Sequence, residues 1–172
     1  DNIQAALTKM RDAVQYVHDA TIDGMNAGKT VYELMDEIEL PEHLALTEEH
    51  GKVSWAVKSI WEYYATWFHF DKTTELYPVT QAAIQGDLVE LAGAEPLIAK
   101  AKSYVSQDAP LKALHILDIV DGADAGNAAG LKALIEALNI LKSRAETGDK
   151  NGYEIYWLNY RIRDAQSKLD AQ

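Results

Sequence analysis

Apolar residues recur at helical spacing along almost the whole chain. Ile3, Leu7, Met10, Val14 and Val17, with Ile22 and Met25 beyond them, predict an amphipathic helix over residues 2–28. Arg11, Asp12 and Gln15 fall on its polar side. Gly28 suits the left-handed position just past a helix end, and Thr30 with Glu33 forms the T-x-x-E signature of a capped second helix. Val31, Leu34, Met35 and Ile38 give that helix its apolar face, and Pro41 stops it. A connector, PEHLALTEEHGK, then enters the stretch from Gly51 to Pro78 near Lys52 to Ser54. This stretch holds eight of the fifteen aromatic residues. Val53, Val57, Ile60, Tyr64 and Trp67 or Phe68 define a stripe expected to be buried, with Trp55, Ser59, Glu62 and Tyr63 off it. The rest of the chain is expected to pack on this helix or lead away from it.

The composition changes near residue 80, from aromatic-rich to Ala- and Leu-rich. Residues 81–92 predict a modest helix ended by Gly93. Four more follow: Glu95–Ser106, Pro110–Val120, Asn127–Glu146 and Tyr153–Asp170. Pro110 fits a first helical turn, where a missing N–H costs nothing, and Asn127 fits an N-cap. No stretch alternates with period two. The expected fold is therefore all-α: a helical bundle over residues 1–80 that continues into tetratricopeptide-like helical hairpins over residues 81–172, together one domain. Such hairpins are too few to stand alone and need the N-terminal helices to stack upon.

Charge and composition narrow the function classes. With 16 basic against 27 acidic residues the net charge is −11, a field that repels nucleic-acid phosphate and anionic lipid. No apolar run approaches the roughly 20 residues that span a bilayer. The opening residues, DNIQAALTKM, read as amphipathic helix, so a soluble protein is expected, cytoplasmic or, if a leader was removed, exported. Cysteine is absent, which excludes disulfides and thiol catalysis.

The candidate chemistry is sparse. His18, His43 and His115 read as packing or solvated residues. His69 and Asp71 form an H-x-D pair, short of the three or four ligands that a metal site requires. Gly28-Lys29-Thr30 resembles the end of a phosphate loop, but the glycine spacing and the preceding strand are missing. Ser54 lacks the G-x-S-x-G frame of a nucleophile elbow. The carboxylates Asp36, Glu37, Glu39, Glu42, Glu48 and Glu49 read as a solvated face. His50 is the most interesting histidine, because it opens the aromatic stretch beside Gly51. The aromatic surplus remains: Trp55, Tyr63, Tyr153, Tyr156, Trp157 and Tyr160 exceed the needs of a small core and suggest a protein–protein or interdomain surface. Tyr63, Tyr153, Tyr156, Trp157 and Tyr160 are the interface candidates.

The segments RDAVQYVHDATIDGMNAGKTVYELMDEIELPEHL and GKVSWAVKSIWEYYATWFHFD, followed by ELYPV and DLVELAGAEPLIAKAKSYV, resemble the dimerisation domain of alkyl sulfatases over about residues 9–165. The resemblance implies a homodimer and a parent enzyme with a metallo-β-lactamase-fold catalytic domain, where an H-x-H-x-D-H motif would hold two zinc ions. That motif is absent here, so the chain is expected to be a fragment, to hold no cofactor and not to hydrolyse sulfate esters by itself. In many relatives the segment at His50–Trp55 reads Y-G-T-V-S-H, with its Tyr and His near the sulfate. Gly51, Val53 and Ser54 match; His50 and Trp55 stand at the Tyr and His positions, and Lys52 replaces Thr. His50, Lys52, Ser54 and Trp55 are therefore the substrate-facing candidates. The competing reading is a stand-alone tetratricopeptide-like adaptor that binds a peptide.

Overall fold

Helix α1, Asn2–Asn26, opens the chain in a computed structural model that describes residues 2–171. Gly28 takes φ +77°, and the N–H of Lys29 bonds the Gly24 carbonyl at 3.0 Å, closing α1 as its sequence predicts. Helix α2, Val31–Glu37, starts on the complete capping box: Glu33 accepts from the Thr30 N–H while its own N–H donates to the Thr30 hydroxyl. It ends before Pro41, with Ile38 already extended. A single 3-10 turn, Glu42–Leu44, interrupts the connector. Helix α3, Val53–Ala65, follows, and a further 3-10 turn occupies Thr73–Leu76.

The chain divides into two compact units at Pro78 and Val79. In the first, Val17, Val31, Leu34, Val57 and Trp61 form the core. Each such side chain contributes roughly 1.5–3 kcal/mol by leaving water. The buried stripe of α3 differs from the expected one. Val57 is buried, with Val53 and Ile60 packed around the core, but its partner one turn on is Trp61 rather than Tyr64. Tyr64 and Trp67 are exposed, and Phe68 is half-buried. The reason is the helix end: Thr66 adopts φ +64°, which an α-helix cannot continue through, so Trp67 and Phe68 leave the helical track. The α1 face also departs from expectation. Val17 is buried among the core residues, whereas Ile3, Leu7, Met10 and Val14 are exposed.

The second unit opens with a 3-10 turn, Gln81–Ile84, that feeds α4, Gln85–Ala92. Then come α5 (Ala94–Ser106), α6 (Pro110–Ala123), α7 (Ala128–Glu146) and α8 (Gly152–Asp170), each within a few residues of its predicted bounds. Pro110 lies in the first turn of α6, and Asn127 caps α7 by accepting the Gly130 N–H. Short connections make consecutive helices neighbours. Their core is its own: Ala101, Ala113 and Ala137 let backbones approach closely, and Leu117, Leu131, Leu134, Leu138 and Leu158 fill the space between. Lys168 of α8 bridges Asp121 of α6 at 3.1 Å. Burial opposes its charge, but Asp121 and Asp164 outweigh that and raise its pKa. Among the described residues there is no strand, and no helix is long and apolar enough to cross a membrane.

Candidate functional site

The start of α3 is built from a side chain five residues upstream. Lys52, at the N-cap position, offers no side-chain acceptor. Instead Glu48 accepts the Val53 N–H at 2.8 Å, placing a carboxylate at the positive end of the helix. This pins the His50–Lys52 segment against a groove of about 370 Å³ between α1, the connector and α3. Met10, Val14, Leu40, Leu46, Val53 and Ile60 make its apolar wall; Glu48, Glu49, His50, Gly51 and Lys52 make its polar rim. Of the four substrate-facing candidates, His50 and Lys52 line the groove, and Ser54 and Trp55 do not. Trp55 instead lies half-buried with the Lys52 ammonium 5.7 Å from its ring centroid, within cation–π range.

At the far end of α3 the chain folds back on itself through His69. Its Nε2 lies 3.0 Å from Glu62 and its Nδ1 3.1 Å from Glu75, and its backbone N–H donates to Glu75 at 2.9 Å. Burial disfavours the charged imidazole, yet hydrogen bonds to Glu62 and Glu75 prevail and raise its pKa above the ordinary 6.5. The same backbone and ring donors of His69 hold Glu75 below its ordinary 4.5. The two carboxylates sit on opposite nitrogens of one ring, so the three groups clamp the turn and do not converge on a cation. Asp71, the other half of the H-x-D pair, faces Lys72 at 3.5 Å. Among the described residues no group of three or more His, Asp or Glu could hold a metal ion. The residues present therefore do not fit the zinc pair that the resemblance implies.

The interface candidates are all on the surface. Tyr63 is 80% exposed on α3. On α8, Asn151 caps the helix by accepting the Glu154 N–H at 3.0 Å, and Leu158 and Ala165 face the core. That orientation turns Tyr153, Tyr156, Trp157 and Tyr160 outward, and the last two stack with centroids 5.5 Å apart. The sequence reading missed the clamp, the Glu48 cap and the exposed α1 stripe. A Glu seven residues before His69 and another six after it carry no local signal, because they meet only once the helix stops at Ala65.

Comparison with known proteins completes the description. A family model described as alkyl sulfatase dimerisation matches residues 30–159. A linear primary-alkylsulfatase of a Pseudomonas strain is 34% identical over 115 residues, which is 63% of this chain and 22% of that protein. Another linear primary-alkylsulfatase from Pseudomonas is 26% identical over 170 residues, 95% of this chain and 24% of that one. Among solved structures, the stereoselective inverting sec-alkylsulfatase Pisa1 from Pseudomonas superposes with a TM-score of 0.79 at 17% identity, over 95% of this chain and 26% of that chain. This chain thus spans about a quarter of the length of the proteins it matches.

Proposed function

Because the chain belongs to the alkyl sulfatase dimerisation family, we propose that it works as the self-associating helical part of an alkyl-sulfatase-like protein. The observation that carries this reading is the surface of α8, where four aromatic rings at helical spacing stand in water. Large exposed rings of this kind mark protein contacts. A homodimer is the economical arrangement, since one patch meeting its own copy closes the assembly. The hydrolysis of a sulfuric ester, and two zinc ions serving it, would reside on a metallo-β-lactamase-fold domain of the same polypeptide.

The role of the second feature, the groove beside α3, follows from its rim. Lys52 and His50 can donate to an anion, and the apolar wall behind them suits an alkyl chain. We assign this edge to face the catalytic domain and its substrate, with Ser54 and Trp55 shaping the helix start behind it. The mass of the chain in solution tests self-association, and replacement of Lys52 and His50 in the enzyme tests the rim.

A further inference from the structure

We propose that Asp19, His18 and Tyr64 form a nucleophilic site, in which the Tyr64 hydroxyl takes an acyl or sulfonyl group from an activated donor. Nδ1 of His18 lies 2.9 Å from Oδ1 of Asp19, and its Nε2 lies 2.8 Å from the Tyr64 hydroxyl. The carboxylate fixes the roles. Hydrogen bonds from His18 and Gln15 hold the Asp19 pKa below its ordinary 3.8, so near neutral pH this group only accepts. A neutral His18 therefore carries its proton on Nδ1, and the Nε2 lone pair accepts the phenolic O–H. A hydroxyl bonded to a base, with the base oriented by a third group, is the arrangement that activates a weak nucleophile.

Two anchored helices hold the three groups. On α1, Val17 and Thr21 are buried on either side of His18, and the Thr21 hydroxyl donates to the Val17 carbonyl at 2.7 Å. On α3, Trp61 and Val57 are buried one and two turns before Tyr64. The pair meets at the edge of this core, where Tyr64 is 51% exposed and the His18 side chain 36%, so a small electrophile can reach the phenol. The Tyr64 oxygen attacks the electrophilic carbon or sulfur and forms the new C–O or S–O bond. The bond to the leaving group breaks, and that group departs with its electron pair. The phenolic proton passes to Nε2 of His18 and from there to water. Exposure alone points elsewhere: Tyr63, Tyr77 and Tyr156 are 80%, 64% and 68% exposed. None of those three bonds a histidine among the described residues.

The test is the reaction of the 172-residue chain with benzenesulfonyl fluoride, followed residue by residue by peptide mass spectrometry, with helix content checked by circular dichroism. A general base typically supplies roughly 10²–10⁴-fold in an enclosed site, and at this wetted edge Tyr64 is expected to label at least about tenfold faster than Tyr63. In His18→Gln the amide oxygen can still accept the phenolic O–H but takes up no proton. Labelling of Tyr64 then falls about tenfold, with Tyr63 unchanged as the internal control. If His18 merely holds the phenol in place, its loss frees the hydroxyl, and labelling of Tyr64 stays the same or rises. Asp19 is a positioning residue. Asp19→Asn slows labelling of Tyr64 and moves the acid fall-off of the rate to lower pH, because the imidazolium loses its carboxylate. Faster labelling of Tyr63 than of Tyr64 in the wild type, or an unchanged Tyr64 rate in His18→Gln, overturns the site. An unchanged pH profile in Asp19→Asn removes Asp19 from it.

Discussion

Nε2 of His18 lies 2.8 Å from the hydroxyl of Tyr64, joining α1 to α3 across 46 positions of sequence. The bond ties the two helices at the point where the buried part of α1 gives way to its exposed stripe. It is partly exposed, so its net worth is that of an ordinary hydrogen bond. Tyr64→Phe should lower the stability of the first unit by about 0.5–1.5 kcal/mol, read from urea unfolding, and should leave the mass in solution unchanged.

The His69 clamp makes a pH prediction. His69 has a raised pKa in the fold, so its contribution is complete below the ordinary 6.5 and is lost as pH rises through the raised value. Glu75 has a lowered pKa, so its contribution is complete above 4.5 and is lost as pH falls through the lowered value. The clamp is therefore strongest between 4.5 and 6.5. Unfolding midpoints measured across pH should decline above this window in the wild type, and His69→Gln should remove that decline.

Burial separates residues of the same type. Leu34 and Leu134 are each 2% exposed, whereas Leu91 is 85% exposed. Leu34→Ala and Leu134→Ala should each cost about 2–5 kcal/mol, one in each unit, and Leu91→Ala should stay within roughly 0.5 kcal/mol. Thermal unfolding of the three variants checks this.

Much of this fold was legible because its signals are local. The Thr30–Glu33 box, the turn at Gly28, Pro110 in a first turn and Asn127 at an N-cap each act within a few residues, and each lies where expected. The end of α3 was not legible. No glycine or proline marks Thr66, whose φ of +64° ends the helix shortly before His69 folds back onto Glu62 and Glu75. Periodicity also cannot say what covers an apolar stripe: Ile3, Leu7, Met10, Val14 and Val17 form one series, yet only Val17 of these is buried. At the candidate site, the resemblance brought His50 and Lys52 forward. The groove behind them needed Leu40 and Leu46 from the connector, which no pattern joins to α3.

The rim of that groove gives a kinetic prediction. In the polypeptide that joins this sequence to a catalytic domain, His50→Ala with Lys52→Ala should raise KM for an alkyl sulfate and leave the solution mass unaltered. Steady-state kinetics decide it, and an unchanged KM removes these residues from the substrate path.

The central claim is that this chain associates with itself, and sedimentation equilibrium at tens of micromolar tests it most directly. Self-association predicts a species of twice the 19.1 kDa chain mass. A single species at 19.1 kDa across that concentration range would contradict it.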